Sequence, residues 1–144
     1  MAQLELELQK KTRNAIAEAG GKCRIISHRF IVGVPDLLVK LPGHELMIVE
    51  VKQNKFPVRA PIVSLDVTVP QKRDLNDWQQ AGARSGVLSF LVRKKGVRKE
   101  LYAAFLPTPE EGFDLKSDPT LAVASHFPID VQCRDVVGLL SRYS

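Results

Sequence analysis

The sequence predicts a single α/β domain in which helices flank a mixed, twisted β-sheet. A chain of 144 residues is long enough to bury one sizeable core. Two apolar, β-branched-rich runs on either side of Pro42-Gly43 indicate a β-hairpin. A helical segment that begins at Pro70 precedes another apolar run at 87–92, which is typical of a βαβ crossover to a buried parallel strand.

The remaining elements are predicted from apolar periodicity and from residues that begin or end helices. The first helix carries an apolar stripe, and a Gly-Gly pair ends it. The second helix has proline at its first position, where proline is preferred. The predicted elements are helices at 3–19, 70–81 and about 130–142, and strands at 23–30, 35–41, 45–52, 87–92 and 101–106.

Several expectations concern burial and connections. In the second helix, Leu75 and Trp78 should face the sheet. Residues 53–69 read as a long loop, either a substrate- or dimer-contacting arm or an inert insertion. Residues 93–99 read as a strongly basic turn, and 107–125 as irregular. The catalytic core would span about 3–106, with 107–144 as a C-terminal extension, and the stripe of the first helix comprises Leu4, Leu8, Ala15, Ile16 and Ala19.

Composition excludes some classes of protein and favours a basic, cytoplasmic one. No apolar run approaches 18 residues, so no membrane span is expected. The acidic N-terminal segment lacks the positive region of a secretory signal. Cys23 and Cys133 have no metal-ligand spacing and fit a reducing cytosol, although one disulfide stays open as an alternative.

Positive charge is concentrated in the first three quarters of the chain. Residues 1–106 hold 18 Lys and Arg against 10 Asp and Glu, whereas residues 107–144 hold 3 against 6. A basic body of this kind is expected for a protein that binds phosphates, and a solvated basic surface is the plainer interpretation.

The central hairpin carries the chemistry. If Leu41 faces Glu45 across a three-residue loop, Asp36 lies directly opposite Glu50, with the two Cβ atoms about 5 Å apart. Lys52 then shares their face. A four-residue loop would instead place Asp36 opposite Val49.

Two facing carboxylates repel each other, and a divalent cation between them removes the penalty. Hard cations such as Mg²⁺ prefer carboxylate oxygens and keep water molecules for substrate phosphates. A lysine beside such a site can orient or deprotonate a metal-bound water, or stabilise charge on a phosphate. The spacing therefore predicts metal-assisted phosphodiester hydrolysis.

Pro35-Asp36 followed by Glu50-x-Lys52 resembles the signature of the PD-(D/E)XK nuclease superfamily. The longer string Gly33-Val-Pro-Asp36, Leu41-Pro-Gly43 and Val49-Glu-Val-Lys52 is similar to its VRR-NUC branch. The resemblance covers about residues 3–92 and implies a restriction-endonuclease-like core that uses Mg²⁺ or Mn²⁺.

The same resemblance implies further site residues. Glu5 in the first helix would add a carboxylate to the metal, with Glu7 as the alternative. The Val51 carbonyl is a possible additional metal ligand. Gln71, in the first turn of the second helix, would assist by hydrogen bonding. Likeness to stand-alone VRR-NUC proteins and to Holliday-junction resolvases implies a homodimer that cuts branched DNA.

Basic side chains near these segments are candidates for contacts with the DNA backbone. They lie in the first helix, in the 53–69 segment, in the second helix and in the basic turn. The predicted set is Lys10, Lys11, Arg13, Lys55, Arg59, Lys72, Arg73, Arg93, Lys94 and Lys95.

Two other functions stay open. One is a repair or phage nuclease directed at flaps or single strands and acting as a monomer. The other is a catalytically inactive nuclease fold used as a nucleic-acid-binding module, against which the intact Asp36, Glu50 and Lys52 argue.

Overall fold

The computed structural model describes residues 2–26, 33–57, 61–122, 127–128 and 134–143. None of the described helices is long and apolar enough to span a membrane. The elements in chain order are α1 (Ala2–Glu18), β1 (Lys22–Ile25), β2 (Leu37–Lys40), β3 (Met47–Lys55), β4 (Ile62–Ser64), α2 (Val69–Gln80), β5 (Arg84–Lys95), β6 (Arg98–Pro107), β7 (Thr120–Ala122), β8 (Phe127–Pro128) and α3 (Arg134–Ser141).

The main sheet has the order β1-β2-β3-β5-β6-β8, with the two-residue β8 at one edge. Strands β1, β2 and β3 form an antiparallel meander. Strand β3 runs parallel to β5, and α2 lies in the connection between them. Strands β5 and β6 pair as an antiparallel hairpin. The predicted meander, crossover and mixed sheet with flanking helices are confirmed.

A second, two-stranded sheet was not expected from the sequence. Strand β4 pairs antiparallel with β7, through Val63 opposite Leu121. The prediction of a continuous loop at 53–69 is therefore wrong in part, because β3 continues to Lys55 and β4 follows it. The irregular segment predicted at 107–125 likewise contains β7. Each strand has three residues, too few for a visible alternation, and their partners are far apart in the chain.

The sheet buries a hydrophobic core on each face. Alternate residues of β5 point to opposite faces, so Leu88 and Phe90 pack under α1 and α3 while Val87 and Leu91 pack under α2 and the small sheet. Burial on both faces explains why this strand reads as a continuous apolar run.

The predicted apolar stripe of α1 is confirmed for three of its five residues. Leu8, Ala15 and Ile16 are buried in the first core. Ala19 is exposed, because the helix ends at Glu18 and the chain then turns through Gly20. The side chain of Leu4 lies outside the described part of the chain.

Helix α2 has the predicted length of twelve residues but a different buried face. Leu75 is buried as predicted, whereas Trp78 is 39% exposed and donates its indole N–H to Asp74. The prediction for Trp78 is wrong because Lys72 and Asn76 take the inward positions. Their polar ends bond the backbone of the 113–117 segment, which a hydrophobicity pattern does not reveal.

The basic turn predicted at 93–99 is mostly strand. Backbone pairing continues to Lys95 opposite Arg98, which leaves Gly96-Val97 as the turn. The many charged residues in this stretch indicate that it is exposed to solvent, but exposure does not prevent the backbone from forming the hydrogen bonds of a strand. The charge pattern alone therefore did not reveal how far the two strands extend. Of the helix predicted at about 130–142, α3 covers Arg134–Ser141, and residues 130–133 lie outside the described part of the chain.

Candidate functional site

The hairpin register brings two carboxyl groups together. Leu37 pairs with Val49 and Leu38 with Ile48, which is the register of the three-residue loop. Continued by one residue, it places Asp36 opposite Glu50. The alternative register, with Asp36 opposite Val49, is excluded by the Leu37–Val49 pair.

Asp36 lies in a bend one residue before β2 begins. Its Oδ2 atom accepts a hydrogen bond of 2.8 Å from the backbone N–H of Val51, so the carboxylate reaches across to β3. Burial raises the pKa of Asp36, and the bonds from Val51 and from Glu50, together with the charge of Lys52, offset part of that rise. The side chain is thus fixed beside the middle of β3.

Glu50 lies at the centre of the site and is only 4% exposed. Its Oε2 atom accepts a hydrogen bond of 3.0 Å from Gln71 Nε2 and lies 3.8 Å from Lys52 Nζ. Its Oε1 atom is buried, and no N–H or O–H group of the described residues hydrogen-bonds to it. Such an unsatisfied buried oxygen is costly, which indicates that an additional partner belongs there.

The surroundings of Glu50 favour its protonated form when no cation is bound. Burial, first, and the neighbouring Asp36 carboxylate, second, raise the pKa of Glu50 to about 9. The Lys52 ammonium opposes this shift, while a hydrogen bond to Asp36 and the charge of Glu5 add to it. Because the negative charge of each acid disfavours ionisation of the other, a bound cation would stabilise the ionised forms of both.

The capping box of α2 orients the amide of Gln71. The side-chain oxygen of Thr68 accepts from the Gln71 N–H, and Gln71 Oε1 accepts from the Thr68 N–H at 3.0 Å. Because Oε1 is held there, Nε2 points to Glu50 as a donor. Thr68 is a residue that the sequence interpretation missed, although the Thr-x-x-Gln spacing before a helix is a readable signal.

Gly33 allows the loop before Asp36 to approach α2. It has φ of +89°, and a Cβ atom there would lie 2.7 Å from the carbonyl carbon and oxygen of Pro70. Only glycine accepts both this backbone conformation and this contact. The Gly-x-Pro-Asp string therefore has a packing role, since it brings Asp36 next to the helix that carries Gln71.

Glu5 lies half-buried in α1, and its negative charge raises the pKa of Glu50. Glu7 is exposed and is not among the groups that perturb Glu50. Of the two glutamates considered, Glu5 is thus the one on the side of the carboxylate pair.

The predicted DNA-binding residues are distributed unevenly. Lys72 is only 2% exposed, and its ammonium donates to the Ser117 carbonyl at 2.6 Å, so it does not contribute to an exposed basic surface. Arg59 and the side chain of Lys95 lie outside the described part of the chain. Arg13 is half-buried, and the exposed members are Lys10, Lys11, Lys55, Arg73, Arg93 and Lys94.

The donor set fits a hard divalent cation. Asp36 and Glu50 supply carboxylate oxygens, and the Oε1 atom of Glu50 is available. Among the described residues, no three His, Cys, Asp or Glu side chains lie close enough together to hold a metal ion, so Glu5 does not join Asp36 and Glu50 as a third direct ligand. Hard cations of the Mg²⁺ type are commonly held by one or two carboxylates with water completing the shell.

A scan against models of known protein families finds no match to this chain, and a search of the curated proteins finds none either. The similarity to the VRR-NUC motif therefore stays a prediction from the residues. The fold and the carboxylate pair define an α/β protein with a buried acidic site at the end of a β-hairpin.

Proposed function

We propose that this protein is a Mg²⁺- or Mn²⁺-dependent DNA endonuclease that hydrolyses phosphodiester bonds. The observation that carries the proposal is the buried pair of Asp36 and Glu50, with Lys52 beside it and one glutamate oxygen without a donor among the described residues. Two facing acids that are buried lower the stability of the fold, so a structural role does not explain the pair and a functional role does.

Asp36 and Glu50 would hold the cation, and the Val51 carbonyl is suitably directed to join them. The N–H and C=O of one strand residue point toward the same side, and the Val51 N–H already bonds Asp36. When bound, the cation would polarise the scissile phosphate and lower the pKa of a coordinated water. Glu5 would contribute through a water molecule from α1.

The position of Lys52 beside the carboxylate pair supports a role for it in the reaction. Its ammonium is 3.8 Å from Glu50 Oε2, and the side chain is 17% exposed, so it is partly open to solvent. In this position Lys52 would orient the attacking water or stabilise negative charge that develops on the phosphate. Gln71 would hold Glu50 in place through its Nε2 donor.

We further propose that the substrate is branched DNA and that the enzyme acts as a homodimer. Two symmetric nicks in a four-way junction require two symmetric sites, which a two-fold dimer supplies. The formal net charge of +5 supports binding to a polyanion.

The proposal is tested by cleavage of a labelled panel: a four-way junction, a flap, a single strand and a linear duplex. Each is incubated with Mg²⁺, Mn²⁺ or EDTA, with wild type, Asp36→Ala and Lys52→Ala. Glu110→Ala is the matched control, since it removes an exposed carboxylate far from Glu50 in sequence. Asp36→Ala should abolish cleavage and leave DNA binding at or above the wild-type level, because the carboxylate repels phosphate.

The pattern of cutting distinguishes the candidates. Paired nicks in the junction, lost in both site variants and kept in the control, support a resolvase. If mainly flaps or single strands are cut, the assignment of the active site stands, but the proposed substrate changes to those structures. Salt-sensitive DNA binding without any metal-dependent cleavage would reject the nuclease proposal and support a nucleic-acid-binding module. Cleavage that survives Asp36→Ala would contradict this assignment of the active site.

A further inference from the structure

A cavity of about 690 Å³ opens where β3 ends and the β5–β6 hairpin continues beyond it. Its volume is within the range of pockets that bury a small ligand, about 300 to 1,000 Å³. None of the described residues that line it is acidic. Among them are Gln53, Lys55, Val92, Arg93, Lys94 and Lys99.

The lysines of this cavity lie on the face of the sheet opposite Glu50. Lys55 is five residues beyond Glu50 in the same strand, so the two side chains point to opposite faces. Lys55 pairs with Val92, and Lys94, two residues further along β5, shares the face of Val92. Lys99 is directly opposite Lys94 and shares its face too. We call this the lysine cavity.

Three ammonium groups around one cavity repel one another. Like charges directly opposite in an antiparallel pair are destabilising, and Lys94 with Lys99 is such a pair. Within the described part of the chain, neither these two lysines nor Lys55 forms an ion pair. An anion in the cavity would remove the repulsion, as a cation would between Asp36 and Glu50.

Aromatic packing on the other face of the sheet, the face of Glu50, holds together the two elements that border the cavity. The guanidinium of Arg93 lies 5.4 Å from the centroid of the Phe56 ring, and that ring packs against Tyr102 with centroids 5.0 Å apart. These contacts fasten the chain that leaves β3 to the long hairpin. The cavity is therefore held between two fixed elements.

We propose that the lysine cavity binds the phosphodiester backbone of an unpaired nucleic-acid strand, in continuation of the strand cut at Glu50. This rests on the proposed nuclease function and narrows its substrate to branched DNA that also carries a single-stranded arm. A strand that reaches both sites must turn around the end of β3 to the other face of the sheet. Duplex DNA has a persistence length of about 150 base pairs and cannot make that turn, whereas a single strand can.

The test compares Lys94→Ala/Lys99→Ala with Lys22→Ala/Lys116→Ala, which removes the same charge from exposed lysines elsewhere. Fluorescence anisotropy measures binding of a single-stranded oligonucleotide, of a duplex and of a nucleoside triphosphate, all in EDTA. The cavity variant should bind the single strand about tenfold more weakly at fixed salt, with the slope of log affinity against log salt reduced by about 1.4. Duplex affinity should change equally in both variants.

The outcomes separate this inference from the nuclease proposal. Equal loss of single-strand affinity in the two variants would overturn the lysine cavity as a binding site. Tight binding of the triphosphate with no effect on the oligonucleotide would also overturn it, in favour of a free nucleotide. Selective loss of single-strand binding in a protein that cuts no DNA would uphold the cavity and reject the nuclease.

Discussion

At the scale of single residues, Glu50 couples the stability of the metal-free protein to pH. The pKa of Glu50 is raised from 4.5 to about 9, so the folded state holds a proton that the unfolded state has lost over this interval. Stability rises with pH only where the unfolded state binds more protons, and here it binds fewer. The free energy of unfolding should therefore fall as pH rises from about 5 to 9.

Glu50 alone contributes a slope of at most about 1.4 kcal/mol per pH unit, and the raised pKa of Asp36 adds to it in the same direction. Thermal unfolding in EDTA at several pH values measures it. Glu50→Gln, which keeps the size and removes the charge, should flatten the dependence. A melting temperature that rises over this range in the wild type would contradict the assigned protonation.

At the scale of elements, the site depends on how closely the Gly33 loop approaches α2. A Cβ atom at Gly33 would destabilise the fold in two ways. The residue would have to adopt a positive φ, which side chains disfavour, and the Cβ atom would lie only 2.7 Å from the Pro70 carbonyl. Gly82 also has a positive φ, of +99°, but a Cβ atom there would meet nothing within 4 Å. The two glycines thus separate conformational strain from steric contact.

Gly33→Ala should destabilise the protein more than Gly82→Ala does, by at least about 1 kcal/mol, because the loop or the start of α2 must move. Denaturant unfolding of both variants gives the difference in free energy. Gly33→Ala should also reduce metal-dependent cleavage, since Asp36 and Gln71 would separate, whereas Gly82→Ala should cleave normally. Equal destabilisation by the two substitutions would mean that the contact with Pro70 costs nothing.

Elements that are long or marked by turn residues could be predicted from the sequence. The hairpin register followed from Pro42-Gly43, and the crossover from Pro70 and the apolar run after it. The pair β4 and β7 could not be predicted, because its hydrogen bonds join segments that are distant in the chain and individually too short to show a period. The proximity of Asp36, Glu50 and Lys52 could be predicted because these three residues lie within one hairpin.

Tertiary contacts override local pattern at other positions. Lys72 reads as an exposed base in the sequence, yet it is buried because the 113–117 segment offers it a carbonyl. Trp78 was predicted to lie in the core, but it is exposed because Lys72 and Asn76 occupy the inward-facing positions of α2. The lysine cavity depends on β5 and β6 continuing past the end of β3, and no single stretch of sequence specifies that difference in length.

At the scale of the whole molecule, the proposal of paired nicks requires two sites with opposite orientation. One chain of 16.0 kDa carries a single pair of Asp36 and Glu50. Sedimentation equilibrium should therefore give twice the chain mass for the free protein, or the mass of the DNA plus two chains for the complex with a four-way junction in EDTA. The Glu110→Ala variant should behave in the same way.

A monomer that binds the junction and cuts one strand would contradict the homodimer and leave the carboxylate site intact. In that case the single strand bound in the lysine cavity would set the orientation of the substrate alone. Cleavage of a flap should then depend on Lys94 and Lys99, while cleavage of a junction without unpaired arms should be slow. Comparing those two rates in the cavity variant distinguishes recognition by symmetry from recognition by an unpaired strand.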